Sequence, residues 1–164
     1  MLHAAQPETR TPILDFLRHH LAGTPYTGPA IHLRYPTTIS ATLDMHIDAI
    51  SAGSATIRID ASPERHGNQQ GTVHGGLLAE LADAAIGTAH STLMHDGETF
   101  TSLDLQIRFC RPVWHNTLQA VAVAVQQGQR ISHYRCDIYR EDSKLVATAT
   151  STVMTLRGEA AEGR

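Results

Sequence analysis

A polar run, Asn68-Gln69-Gln70-Gly71-Thr72-Val73, ends on His74-Gly75-Gly76, and one aspartate, Asp83, follows in a stretch of mostly apolar residues. If a helix opens at the glycines, its first backbone N–H groups are unpaired and sit at the positive end of the dipole. Glycine at the entry lets a ligand approach those groups closely. Such a place suits a carbonyl oxygen that gains negative charge during a reaction, as in an oxyanion hole. Asp83 is a carboxylate among apolar neighbours, so it needs partners, solvent or a function. The same residues also admit a plainer reading. His-Gly-Gly can be an ordinary turn, and Asp83 with Glu80, three residues earlier, can mark a solvated helix stripe.

The surrounding pattern supplies the elements that would hold these groups. Residues 75–94 contain no proline and many helix formers, including Leu77, Leu78, Ala79, Leu81, Ala82, Ala84 and Ala85. They predict one helix of about 20 residues, roughly 30 Å long. It is apolar nearly all round and should be buried, with the small residues Ala82, Ala85, Gly87 and Ala89 letting a sheet come close. Upstream, Thr11-Pro12 reads as a helix start and Gly23 as its end, giving a helix at about 12–22. Two short strands are expected within residues 38–61, where Leu43, Met45 and Ile47 alternate, then Ala55, Ile57 and Ile59, around a turn at Ala52-Gly53.

Four longer strands are expected over residues 100–111, 118–125, 131–139 and 145–156. In the first, Leu103, Leu105, Ile107 and Phe109 would share one face, with Ser102, Asp104, Gln106 and Arg108 on the other. Hairpin-length connections favour an antiparallel sheet with helices on one face, an α+β layering. The boundaries that follow are an N-terminal extension at 1–41 with a loose start at 1–10, one domain at 42–156, and a disordered tail at 157–164. One sheet curled round one helix leaves edges and a face uncovered, so at least a dimer is expected.

Composition removes other classes. The chain of 164 residues has a formal charge of −3, with no basic footprint for nucleic acid. No apolar run has the length of a membrane span, and residues 1–10 lack signal-peptide order, so the expectation is a cytoplasmic protein without a membrane partner. Cys110 and Cys136 both lie in alternating segments and are expected to be buried free thiols, as suits a reducing compartment. Eleven histidines include the pairs His19-His20, His66 with His74, and His90 with His95, none at zinc-helix spacing, so no metal is expected. Gly-x-Ser-x-Gly and glycine-rich phosphate loops are missing. Trp114 and His115, in a loop bounded by Pro112, read as packing.

The run Asn68-x-x-Gly71-Thr72-x-His74-Gly75-Gly76, followed by Leu81-Ala82-Asp83, resembles the pattern of the phenylacetic-acid-degradation (PaaI-like) thioesterases of the hotdog superfamily. The likeness extends to Thr101-Ser102-Leu103-Asp104-Leu105 and Arg111-Pro112, and covers about residues 42–156. It implies a hotdog fold: an antiparallel curved sheet of five to six strands wrapped around one long central helix, here with an extra N-terminal helix. It implies hydrolysis of an acyl- or aryl-acyl-CoA to free acid and CoA, without metal or cofactor, by a homodimer or a homotetramer built as a dimer of dimers. Sites would lie across the subunit interface.

By that resemblance Asp83 activates water or attacks the thioester directly, and Gly75 offers its N–H to the carbonyl oxygen. Asn68 holds the carboxylate, the water or the thioester. Ser102 orients the water, reached from the other chain in some members. His74 shapes the turn rather than acting as a base, and His74 and Gly76 count among the substrate-binding residues. Some relatives carry a threonine one turn after the carboxylate; Gly87 stands there and cannot donate, which leaves Ser102 as the hydroxyl. Arg111 and Arg130 are candidates for the CoA phosphates, each equally readable as surface charge. Two alternatives remain open: a hotdog enoyl or hydroxyacyl thioester hydratase-dehydratase using an Asp–His pair, and a non-catalytic acyl-CoA binding protein.

Overall fold

The computed structural model describes residues 11–162. The loose start expected over residues 1–10 and the last two residues of the tail lie outside these.

Thr11 begins the described chain as the cap of helix α1 (Pro12–Ala22). Its side chain accepts from Leu14 N, Pro12 takes the first helical position, and Gly23 closes the helix at φ +63°. The Thr11 hydroxyl also donates to the Thr92 carbonyl at 2.8 Å, which ties the extension to the end of the central helix. Ile13, Leu17 and Met94 form a small satellite core there, with Phe16, Leu33, Tyr35 and Ile50 packed around it.

Residues 38–43 differ from expectation. They form a short helix, α2 (Thr38–Leu43), capped by Thr37, and β1 (His46–Ser51) starts only after Asp44 turns the chain at φ +59°. Leu43, Met45 and Ile47 alternate in the sequence, but a side-chain cap inside a Thr/Ser-rich run outcompetes the strand. β2 (Ser54–Ala61) pairs with β1 through the expected turn at Gly53 (φ +72°). A single turn, α3 (Pro63–His66), then leads into the loop before the central helix, α4 (Gly75–Ser91).

Four strands follow: β3 (Thr99–Phe109), β4 (Asn116–Gln126), β5 (Ile131–Arg140) and β6 (Leu145–Leu156). They join the first pair in one six-stranded antiparallel sheet of order β1-β2-β4-β5-β6-β3. The sheet wraps α4, which touches β2 to β6. The expected curved hotdog sheet around one helix is therefore present. Alanines make the approach close: Ala82, Ala85 and Ala89 of the helix lie buried in one core with Ala120, Ala122, Ala147 and Ala149 of the sheet. The tail differs from the expected disorder in that Gly158–Ala161 forms a 3-10 turn.

α4 is not buried all round. Gly76, Ala79, Glu80, Asp83, Ala84 and Gly87 stay wholly or partly exposed, a stripe at helical spacing on the face the sheet does not cover. The cysteines also divide: Cys136 is buried and Cys110 exposed, both free. Cys110 directly follows β3, where the strand ends at the sheet's edge and nothing covers it.

Near the C-terminal end of α4, His90 is buried and shares hydrogen bonds with Tyr134 Oη and Thr155 Oγ1, each at 3.0 Å. Burial holds its pKa down at about 4, against the partial pull of the Glu98 charge. The unfolded chain therefore takes up a proton near pH 6.5 that the folded chain refuses until about pH 4. Stability from this residue is full above pH 6.5 and declines as pH falls through the window. Urea unfolding at pH 7 and pH 4.5 should show a loss of about 2–3 kcal/mol from His90. In a His90→Gln variant, which can still hydrogen-bond, the dependence should be flatter by that amount; an unchanged slope would assign the acid sensitivity elsewhere.

Candidate active site

The entry to α4 is built by His74. As the N-cap, it accepts the Gly76 N–H on Nδ1 at 2.9 Å, and its carbonyl accepts from Leu77 N. Gly76 N–H is thereby occupied. Gly75 N–H has no acceptor among the described residues, so the open donor at the positive end of the helix is at Gly75. Phe109 lies close over it: a Cβ on Gly75 would sit 2.9 Å from Cζ of Phe109, so the exposed ring would have to swing aside to admit one. This use of Phe109 had no signal in the sequence, where its alternation with Ile107 reads as ordinary strand packing.

Asn68 organises the loop before the helix. Its Oδ1 accepts from Gln70 N (2.9 Å) and Thr72 N (3.2 Å), and its Nδ2 donates to Thr72 Oγ1 at 2.9 Å. Gly71, at φ +75°, allows the tight turn inside it. One amide N–H of Asn68 is left for another acceptor. Val73 N to Val113 O and His74 N to His66 O then clamp the loop against its neighbours. Asn68, Gly75, Phe109, Cys110 and Arg111 line a common groove of about 390 Å³. The Arg111 guanidinium donates to the Leu145 carbonyl at 2.6 Å and stays exposed on the groove wall.

Asp83 belongs to a different groove, of about 400 Å³, shared with Gly76, Ala79, Glu80, Ser102, Asp104 and Leu105. Ser102 Oγ donates to Asp83 Oδ1 at 3.1 Å within the same chain, where the resemblance had allowed for the other chain. A bulge makes this possible. The β3–β6 register shifts between Ser102 and Asp104, so Leu103 is the extra residue and is turned outward, 52% exposed. Asp104 takes up the freed Thr152 N–H at 3.0 Å. Ser102 thus shares the helix-facing side of β3 with Phe100, Leu105 and Ile107, and the expected grouping of Leu103 with Leu105 and Ile107 does not hold.

Glu80 lies in the same groove, half-buried, and its pKa is raised by desolvation first and by the Asp83 charge second. Its three-residue spacing from Asp83 was visible in the sequence, but its chemistry depends on the burial.

The two grooves are held apart by the helix itself. Gly75 and Asp83 are eight residues apart, about 12 Å along the axis. No single carbonyl can meet both within one chain. His74 and Asp83 are further apart still, so the Asp–His pair of a hydratase is not formed within one chain. Arg130 is remote from both grooves: its carbonyl accepts from Thr155 N, and the adjoining Gly128 and Ser132 line a cavity with His90 near the far end of α4. Among the described residues no three His, Cys, Asp or Glu side chains group as a metal site.

Comparison with known proteins gives the family and the fold. The Thioesterase superfamily model matches residues 70–147. Over 134 residues the chain is 25% identical to the medium/long-chain acyl-CoA thioesterase YigI of Salmonella typhimurium, covering 73% of this chain and 86% of that protein. The structure of the E. coli PaaI protein from the phenylacetic acid degradation operon is similar at 25% identity and a TM-score of 0.70, over 75% of this chain and 87% of that one. The TT0310 protein of Thermus thermophilus is 30% identical with a TM-score of 0.67, over 74% of this chain and 98% of that one.

The loop bonding of Asn68 is testable by stability. Asn68→Ala leaves two backbone N–H groups without their acceptor and should lower unfolding free energy by about 1–2 kcal/mol. Asn68→Asp keeps the acceptor and should stay within about 0.5 kcal/mol of wild type in urea titrations. Equal losses in both variants would contradict this role for Oδ1.

Proposed function

The chain belongs to the Thioesterase superfamily as a PaaI-like hotdog acyl-CoA thioesterase, and from that premise we propose that each of its catalytic sites is assembled from two copies of the chain. The single observation that carries this is the division of the groups. Asp83 and Ser102 are in one groove, and the free Gly75 N–H, Asn68 and Arg111 are in another, about 12 Å away along the helix axis. A second copy, related by a two-fold axis, can bring its Gly75 groove against the first copy's Asp83 groove, and the reverse. The edge strand β3 supports such pairing, since Leu103 and Phe109 are exposed along it at 52% and 57%. The assembly in this reading is a homodimer or a homotetramer formed as a dimer of dimers.

In the assembled site Gly75 N–H and the helix dipole polarise the thioester carbonyl, and the remaining N–H of Asn68 holds the same group. Ser102 pins Asp83 Oδ1, which leaves Oδ2 to take a proton from water. The water oxygen bonds to the carbonyl carbon, the C–S bond breaks, and the proton held by Asp83 passes to the departing CoA thiolate. Arg111, on the Gly75 side, is placed to meet CoA phosphate. The reaction draws on these groups and water, with no cofactor beyond the CoA of the substrate. No helix among the described residues is long and apolar enough to cross a membrane, and an exposed free thiol at Cys110 suits the reducing cytoplasm.

Shared sites can be tested by mixing. Asp83→Asn and Asn68→Asp should each reduce acyl-CoA hydrolysis at least about a hundredfold as homo-oligomers. Co-expressed and purified together, they should recover about a quarter of wild-type turnover, because half the dimers are mixed and each mixed dimer regains one of two sites. A mixture no more active than its parents would place each whole site within one chain.

A further inference from the structure

The two grooves of the proposed site carry opposite charge. The one with Gly75 has Arg111 on its wall and no carboxylate. The one with Asp83 holds two further carboxylates, Glu80 and Asp104, and among the described residues no lysine, arginine or histidine lines it. Asp104 commits Oδ1 to Thr152 N at 3.0 Å, and Asp83 commits Oδ1 to Ser102. Glu80 is half-buried, yet it has no hydrogen-bond or ion-pair partner among the described residues. Desolvation first and the Asp83 charge second push its pKa up, so keeping this side chain charged destabilises the fold. Packing alone gives no reason for a carboxylate there.

The Asp83 groove also runs in one direction only. The other residues that α4 gives it, Gly76, Ala79 and Glu80, all lie on the N-terminal side of Asp83. On the C-terminal side the Phe100 ring stands over Gly87, 3.4 Å from where a Cβ would be, and packs on against His90 with ring centroids 5.2 Å apart. A group that continues past a carbonyl at Asp83 must therefore pass Glu80, about 4.5 Å back along the axis. Charge decides which end of the substrate that is. The phosphates of CoA are attracted by the groove with Arg111 and repelled by the acidic one, which leaves the acidic groove to the acyl group.

We propose that Glu80 is a specificity-determining residue that keeps out acyl groups carrying a negative charge beyond the thioester. The proposal rests on the two-copy thioesterase reading above. A carboxylate at the far end of an acyl chain meets Glu80 with no cation to offset the repulsion, in a half-buried place that solvent screens incompletely. A methyl group at the same point meets the glutamate stem and Leu105 and feels no such repulsion. Asp83 acts on the reacting end, which is the same in every thioester, so the discrimination between acyl groups falls to Glu80.

The test compares hexanoyl-CoA with adipoyl-CoA, in which a carboxylate replaces the terminal methyl. Values of kcat/KM are measured at pH 8, well above the carboxylate range, for wild type, Glu80→Gln, Glu80→Asp and Glu80→Lys, with a melting temperature for each. Wild type should favour hexanoyl-CoA by at least about a hundredfold. That ratio should fall at least about tenfold in Glu80→Gln and further in Glu80→Lys, and should stay within about fivefold of wild type in Glu80→Asp, which keeps the charge. Loss of a desolvated, unpartnered charge should leave the melting temperature of Glu80→Gln equal to or above wild type. A structural glutamate would instead lower it and scale both substrates together. A wild type indifferent to the carboxylate, or a ratio unchanged in Glu80→Gln, would overturn the filter. So would an equal change in KM for both esters, the result expected if pantetheine passes Glu80. Each of these leaves the thioesterase reading standing, whereas no wild-type turnover of hexanoyl-, decanoyl- or phenylacetyl-CoA would overturn both.

Discussion

One constraint organises this molecule: a single sheet must bury a single helix, and a sheet can cover only part of a cylinder. α4 meets the concave face through alanines, and Ala82, Ala85 and Ala89 lie against Ala120, Ala122, Ala147 and Ala149. Small side chains on both sides bring the backbones close, so the sheet curls far round the helix. What it cannot reach is the stripe from Gly76 to Gly87. That stripe is where a carboxylate can be held without full burial, and both Glu80 and Asp83 occupy it. The carboxylate proposed as the base, Asp83, is therefore placed by the limit of the packing.

The same limit explains the bulge in β3. As an edge strand, β3 has one neighbour, β6, and no second ladder to keep it in register. An extra residue at Leu103 disturbs few hydrogen bonds, and Asp104 recovers the one that Thr152 N would lose. In return, Ser102 is moved to the helix-facing side and reaches Asp83. In a central strand the same insertion would break pairing on both sides. The hydroxyl that orients the carboxylate thus depends on an edge, and that edge also exposes Leu103 and Phe109 to another copy.

Much of this was legible in the sequence, for identifiable reasons. The long helix, the hairpin at Gly53 and the four later strands follow from apolar periods that agree with local turn chemistry. Thr11-Pro12 and Gly23 were readable because caps are local, and the structure shows each in its role. The bulge was not legible, because residues 102–109 alternate without a break and nothing local marks Leu103 as extra. The strand reading of residues 38–43 failed where a weak period met a strong cap at Thr37. Asn68, Gly75 and Asp83 were recognised as a group by spacing, yet spacing could not reveal that one chain keeps them in separate grooves. Arg130 looked equivalent to Arg111 as a lone cation, and only the sheet order carries it to the other end of the helix.

Helix geometry has the last word on how the site must work. An α-helix advances about 1.5 Å per residue whatever its sequence. Eight residues from Gly75 to Asp83 therefore keep the open Gly75 N–H and the Asp83 carboxylate apart by a distance no rotamer can close. Shortening the spacing to four would bring them within reach, but it would move the carboxylate onto Ala79, nearer the helix entry and away from Ser102. The position of Asp83 is thus a compromise set by β3, which supplies its partner, and by the stripe, which supplies its exposure. Within one chain that compromise separates the two halves of the chemistry. In the two-copy site proposed above the separation becomes a fit, and assembly and catalysis would then depend on the same eight residues.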